Sequence, residues 1–430
     1  MSVSGQVCPK GHLMFTHAIL SYGLGVDSTA ILLRWIYEPD TRPCPLENIT
    51  CITAMTGNEY DDTARNVTEH ILPLMRSHGI RYVQVARHGA RESDGITILS
   101  DTRSPDVLYI EGDYRLSDEL AASGIVVSYA GAHVCSMKSK AVPIESWLDN
   151  HYEQSIFGHA FGYSADEPKR VTKSEEAILA RNVAFGFSTD ELGRVARAAE
   201  YDTSERHGFY PLVEWGWTRD ACIAYILAKT GILFNRSCCV ACPFAHNKAN
   251  LVQLQARHIE NPLQVADALM LERMSLALNP RGQTYRAETL MAMTTRAGNT
   301  KATDLFNMSL GTSQWAIYRV RRLYGAKAGT EALGNAKKGT VQRAVEKVYV
   351  FPDETTALDA LQRLVRGDHL ELAVTNDIHY AYAQRRGEGY PAREEYFVVA
   401  PGRVEDKTRY GIENFNRQWA PEQLSLALAA

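Results

Sequence analysis

Nine residues near the start of the chain, Ser21-Tyr22-Gly23-Leu24-Gly25-Val26-Asp27-Ser28-Thr29, have the types and spacing that receive an anion. Gly23 and Gly25 lack a Cβ, so main-chain N–H groups can approach a phosphate closely. A helix starting near Asp27 would add its orphan N–H groups and the positive end of its dipole. Ser28 and Thr29 hydroxyls can donate to phosphate oxygens. The segment lacks the Gly-Lys-Ser/Thr ending of a Walker A loop. Ser28 also stands where a dinucleotide-binding Gly-x-Gly-x-x-Gly turn needs its last glycine. On residue types alone, a capped strand-to-helix turn accounts for the segment as well as a phosphate site does.

Cysteine spacing suggests a second chemistry. Cys239-Val240-Ala241-Cys242-Pro243 is a Cys-x-x-Cys of the kind found in iron–sulfur and zinc knuckles. Cys135 could add a third thiolate, Cys238 a fourth, and His246 lies close in sequence. Thiolates alone do not select iron over zinc, and buried thiols are the alternative reading. Cys8, Cys44, Cys51 and Cys222 are isolated and read as buried thiols.

A third candidate is basic. Between Gly311 and Val350 eight Lys or Arg face two acids, with Trp315, Tyr318 and Tyr324 interleaved. Arg319, Arg321, Arg322, Lys337 and Lys338 could contact phosphates while the aromatics stack bases. A solvated helical face is the alternative.

The elements that must position these residues alternate. His17–Tyr22, Ile49–Met55 and Arg81–Ala86 read as strands; Asp27–Tyr37 and Asp62–Ser77 read as helices. That order predicts an α/β fold, a doubly wound, mainly parallel sheet with crossover helices. Arg87–Leu116 reads as a polar loop, Ile125–Ala130 as a strand, Lys138–Asn150 as a helix and Trp217–Thr230 as a helix. Phe161–Val171 and Phe185–Val195 are near-repeats, each containing Asp-Glu-x-x-Arg. Their Arg170 and Arg194, with Lys169, could clamp phosphate or pair with neighbouring acids. A boundary is expected near residue 280, giving domains 1–280 and 281–430. In the second, Trp315–Tyr324 reads as helix. Lys347–Phe351, Thr355–Val365, Leu370–Val374 and Glu395–Val399 read as strand, helix, strand, strand. The chain of 430 residues is 45% apolar with a net charge of −4, an ordinary globular composition that singles out no partner. No apolar run approaches the roughly 20 residues of a spanning helix. Met1–Lys10 has no signal-peptide core, and a cytoplasmic location is expected.

In order along the chain, these segments resemble the PP-loop ATP pyrophosphatases and the phosphoadenosine phosphosulfate (PAPS) reductase family. Gly23-Leu-Gly-Val-Asp-Ser28 is similar to the family's Ser-Gly-Gly-x-Asp-Ser loop, with Gly23 and Leu24 departing from it. Thr56-Gly57-Asn58-Glu59 resembles Asp-Thr-Gly-x-Glu, Met55 replacing the Asp. Cys135 to Trp147, the Asp-Glu-x-x-Arg corners and Tyr210-Pro211-Leu212 resemble three further family segments. The similarity spans about residues 15–275. It implies a nucleotide held by Ser21–Thr29, Thr56, Gly57 and Glu59. Asp27, Ser28, Arg170 and Arg194 would be catalytic. It also implies Mg²⁺ and a [4Fe-4S] cluster, with Zn²⁺ as alternative, on Cys135, Cys238, Cys239 and Cys242. The expected reaction is ATP-dependent adenylation of DNA or tRNA for sulfur insertion, with a cysteine desulfurase or other sulfur donor as partner. A sulfonucleotide reductase is the alternative, although no cysteine follows Cys242 to act as tail nucleophile. A degenerate nucleotide-binding module of a modification or defence complex is the third reading.

Overall fold

The computed structural model describes residues 15–127, 134–152, 156–166, 206–246, 250–329, 336–408 and 411–419. Cys8, Lys169, Arg170 and Arg194 lie outside these, so neither Asp-Glu-x-x-Arg corner is described through its arginine. The chain divides into two compact units, Met1–Leu116 with Gly131–Val240, and Ser117–Ala130 with Ala241–Ala430. The division falls at 240/241 rather than near 280, because the helices Leu251–Glu260 and Pro262–Leu278 belong with the C-terminal sheet.

The first unit is mixed α/β. Its strands are β1 (Ala18–Ser21), β2 (Ile49–Met55), β3 (Arg81–Arg87), β4 (Ile96–Thr102), β5 (Phe157–Ala160) and β6 (Arg206–Phe209), in the order β4-β3-β2-β1-β5-β6. All pair in parallel except β4, which runs antiparallel to β3. Every residue of β2 is buried, as a strand covered on both faces requires. Alternate residues of β1 enter different cores. Ala18 and Leu20 join Ile31, Leu33, Trp35 and Val67. Ile19 joins Ile52, Val83, Trp147 and Leu148. The first unit's helices include α1 (Val26–Tyr37), α2 (Asp61–His70), α3 (Leu72–Ser77) and, beyond α4 (Leu116–Ser123), which lies almost wholly in the second unit, the single turn α5 (Val134–Ser136) and α6 (Val142–His151). Met137–Ala141 makes a π-helical turn between the last two. Pro143 sits in the first turn of α6, where its missing N–H costs no hydrogen bond.

Strand order reverses between β1 and β5, and the loop after β1 opens at that switch. Crevices at such points receive ligands in open α/β sheets. The expected loop Arg87–Leu116 contains β4. This edge strand buries neither face, so it lacks the apolar alternation by which a strand is read. Ile125–Val127 form no strand, and 128–130 lie outside the described residues.

Besides α4, the second unit carries helices Leu251–Glu260, Pro262–Leu278, Leu290–Arg296 and Thr300–Thr312 before an antiparallel sheet. Its strands are β7 (Trp315–Ala326), β8 (Lys338–Phe351), β9 (Glu371–Thr375), β10 (Ile378–Gln384), β11 (Ala392–Pro401) and β12 (Lys407–Thr408), ordered β12-β8-β7-β11-β10-β9. The predicted helix over Trp315–Tyr324 is therefore strand β7. Its aromatic and β-branched residues suit a sheet, and its charges pair across strands instead of covering a helix face. Thr355–Val365 is helical as expected, within Glu354–Gly367. Glu272, fully buried, accepts hydrogen bonds from the main-chain N–H groups of Thr284 (2.8 Å), Leu290 (2.8 Å) and Met291 (3.0 Å). Leu290 and Met291 open the helix Leu290–Arg296, so the carboxylate caps its orphan donors. No helix among the described residues is long and apolar enough to cross a membrane.

Candidate functional site

The loop from Tyr22 to Gly25 turns tightly between β1 and α1. Leu24 holds φ 59°, a left-handed conformation that favours glycine. Its side chain is buried, and that burial offsets the backbone cost. Gly25 is extended and precedes the first turn of α1. A Cβ on Gly25 would lie 2.6 Å from Ser237 Oγ, which donates to the Gly23 carbonyl at 2.8 Å. A Cβ on Gly23 would meet nothing within 4 Å. The two glycines thus have different causes: Gly25 admits the Ser237 brace, and Gly23 borders open space.

Expected phosphate donors turn out to be partly committed within the protein. Ser28 Oγ accepts from the Gly23 N–H at 3.1 Å, bracing the loop. Thr29 is fully buried, and its hydroxyl bonds Tyr22 Oη at 3.2 Å. As placed, Thr29 shapes the loop from beneath and is not a phosphate donor. Asp27 forms a bidentate pair with Arg219, at 2.8 and 3.3 Å. Arg219 opens the helix Arg219–Thr230, and its main-chain N–H reaches Asp166. The Ser164 hydroxyl beside Asp166, helped by Arg219, holds that carboxyl below its ordinary range. Gly162, in the first near-repeat, lies against the start of α1; a Cβ there would come within 3.1 Å of the Ser28 nitrogen.

One cavity of about 180 Å³ opens beside this loop, lined by Ser21, Tyr22, Gly23, Leu24, Glu59, Lys140 and His159 among others. It brings together the loop, the Thr56–Glu59 turn and the π-helical turn, three segments far apart in sequence. Gly57 holds φ 75°, and a Cβ there would collide with Arg115, so the turn requires glycine. Half-buried Lys140 pairs with Glu59 at 3.0 Å. Burial pulls the Lys140 ammonium down, but Glu59 and the Cys239 and Cys238 thiols outweigh it and hold it above its ordinary value. Glu59 is buried, and its second oxygen, Oε2, has no hydrogen-bond partner among the described residues. A buried carboxylate oxygen in a cavity wall, left unbonded, is an acceptor for a ligand donor or a cation. Cys239 makes an isolated antiparallel β-bridge with Glu59, and its Sγ lies 3.3 Å from Thr56 Oγ1.

A buried chain of polar groups ends in the same cavity. Glu145 holds Arg206 in a bidentate pair at 2.6 and 3.0 Å. Arg206 reaches His159 Nδ1 at 2.5 Å, and His159 Nε2 reaches Ser21 Oγ at 2.8 Å. Burial, then the Arg206 charge, pushes the His159 pKa far below its usual value. The folded protein therefore keeps His159 neutral where the unfolded chain, with a pKa near 6.5, takes up a proton. Stability contributed by the neutral ring is complete above about pH 6.5 and falls as pH drops below it. The predicted slope grows as pH falls through 6.5 and approaches about 1.4 kcal/mol per pH unit near pH 5 for this one proton. Urea titrations of the wild type and His159→Asn between pH 5 and 7 should diverge toward that slope at the acid end. Parallel curves would contradict it.

Another cavity, about 450 Å³, lies beside α6 and β3, lined by Arg87, Arg91, Ile96, Met137, Lys138 and Pro143 among others. It shares only Ala141 and Glu145 with the loop cavity. The smaller one is the better candidate, because it holds the loop main chain, Lys140 and the bare Glu59 oxygen together.

The four candidate cysteine ligands fall in both units. Cys135 lies on α5, and Cys238 and Cys239 belong to the first unit, whereas Cys242 belongs to the second. Among the described residues no group of three or more His, Cys, Asp or Glu is arranged to hold a metal ion. Cys44, Cys51 and Cys222 are buried thiols, as expected; burial pushes Cys44 and Cys222 up to about 12.

The proposed basic surface requires correction. On β7, Arg319 pairs with Glu395 at 2.6 Å, Arg321 with Glu346, and Arg322 with Glu394 at 3.3 Å. Arg321 also lies over the rings of Phe415 and Trp419. Arg321 and Arg322 are buried, and all three guanidiniums pair with residues of the second unit. Of the expected contacts, only Lys337 and Lys338 are exposed.

Sequence reading missed His159, Arg206, Glu145 and Arg219. Each acts through a partner 47 or more residues away. No local spacing signals such pairs. No family model, no curated protein and no solved structure matches this chain.

Proposed function

We propose that the chain is a PP-loop ATP pyrophosphatase, which transfers AMP to an oxygen of a DNA or RNA substrate in preparation for sulfur insertion. The doubly wound arrangement of its first unit is part of the same reading. One observation carries it: Gly23, where a Cβ would meet nothing within 4 Å, lines the same cavity as Lys140 and Glu59, whose Oε2 is buried with no partner among the described residues. At about 180 Å³ the cavity is below the usual range for a whole ligand. It suits the phosphates, between the loop, Lys140 and Glu59, with the nucleoside lying outward.

In this reading the Gly23–Gly25 main chain and the first turn of α1 cradle the phosphates. Lys140 adds positive charge where negative charge builds on the departing pyrophosphate. The substrate oxygen attacks the α-phosphorus, the bond to the bridging oxygen breaks, and pyrophosphate leaves with the displaced electron pair. Asp27 keeps Arg219 against the start of α1. Glu59 Oε2 fits a Mg²⁺ ion, which when bound would neutralise phosphate charge. The [4Fe-4S] or zinc site that the resemblance implies would involve Cys135, Cys238, Cys239 and Cys242. No step here passes through it.

The test is pyrophosphate release from ATP with and without DNA or RNA. Wild type should release pyrophosphate with a nucleic acid, and Lys140→Met should lower the rate about 100-fold, in the range lost with one transition-state donor. Absence of pyrophosphate with every nucleic acid tried would overturn the reading. Iron and sulfide analysis after anaerobic purification tests the cluster separately, with bound iron expected and metal-free protein contradicting it.

A further inference from the structure

The polar chain Glu145–Arg206–His159–Ser21 runs from the wall shared by the two cavities to the start of the loop. Its chemistry fixes the direction of every hydrogen bond in it. An arginine guanidinium has donors only. At 2.5 Å from Arg206, His159 Nδ1 must therefore present its lone pair. In the neutral ring the proton then sits on Nε2, which donates to Ser21 Oγ at 2.8 Å. A hydroxyl that accepts this bond keeps its own proton for another acceptor. Ser21 lines the loop cavity, whereas Glu145, 19% exposed, anchors the far end.

We infer that Glu145, Arg206 and His159 are positioning residues that lock Ser21 as a hydrogen-bond donor to an acceptor atom of the bound nucleotide. This rests on the nucleotide reading of the cavity. The order of bonds is the reverse of a catalytic serine–histidine pair: His159 donates a hydrogen bond to the hydroxyl and accepts none from it. Ser21 is therefore not a nucleophile here. The cavity favours a ligand group bearing a lone pair, such as a ring nitrogen, a carbonyl or a phosphate oxygen. It disfavours a group that can only donate, because two donors would then face each other.

Two measurements test this. Nitrogen-15 spectra of histidine-labelled protein, with His159 assigned by its loss in His159→Asn, report the ring tautomer without any nucleotide. The expected pattern has Nε2 protonated and Nδ1 bare; a protonated Nδ1 overturns the proposal. Titration with ATP should then show Ser21→Ala binding about fivefold more weakly, the worth of one neutral hydrogen bond. Arg206→Met should lose a similar factor, with no further loss in the Ser21→Ala background, and should scramble the tautomer pattern. Ser21→Ala binding ATP as tightly as wild type overturns the proposal. If Arg206→Met does not fold, the wild-type spectrum and the Ser21→Ala titration decide. Failure of wild type to bind ATP counts against the nucleotide reading, and the spectrum still judges the bond order by itself.

Discussion

Gly23→Val should fold and melt like the wild-type protein and lose ATP affinity by at least about 100-fold, near 2.8 kcal/mol. The two halves of this result have separate causes. A Cβ on Gly23 meets nothing within 4 Å, and Gly23 is not among the positive-φ residues, so neither the first side-chain atom nor the backbone opposes the substitution. The valine isopropyl group fills the space in which a phosphate would meet the loop main chain. Gly57→Val is the instructive contrast. There the backbone is left-handed and Arg115 fills the space, so the fold itself should suffer. Thermal melts and calorimetric titration of both variants check the pair. Unchanged ATP binding by Gly23→Val would mean that the open space over the loop is not where the nucleotide sits.

Much of the first unit was legible because its signals are local. The apolar run of β2, the glycines after β1 and the spacing of Val67, Ile71 and Met75 each follow from a window of a few residues. The strand β4 and the sheet character of β7 were not legible in that way. Arg319, Arg321 and Arg322 look like one charged face until β8 and β11 bring Glu346, Glu394 and Glu395 opposite them. The loop residues Ser21 to Leu24 and Glu59 were read as binding residues, and the fold places them around one cavity. Their supports were hidden: His159 reaches Ser21 across 138 residues and Arg219 reaches Asp27 across 192. Arg170 and Arg194, expected to be catalytic, lie outside the described residues.

Glu272→Leu should destabilise the second unit by about 2–4 kcal/mol, from the two buried N–H groups of Thr284 and Leu290 left unbonded at roughly 1–2 kcal/mol each, with a smaller loss at part-buried Met291. Leucine fills much of the volume, so the loss would be polar rather than a cavity. Glu272→Gln retains one acceptor oxygen and should recover part of it. The Leu290–Arg296 helix loses its cap, so its amides should exchange fastest in the variant. Denaturant titration with hydrogen exchange read residue by residue checks this. A loss below about 1 kcal/mol would show that the carboxylate is replaceable.

The central claim is that main-chain amides of the loop after β1 meet the phosphates of a nucleotide. Hydrogen exchange of the full chain, with and without saturating ATP and Mg²⁺, tests it directly. The account predicts slowed exchange at residues 22–29 and 136–141, and little change at Arg87–Gly95 beside the larger cavity. Protection confined to Arg87–Gly95, or no protection in the loop while ATP is bound, would contradict it.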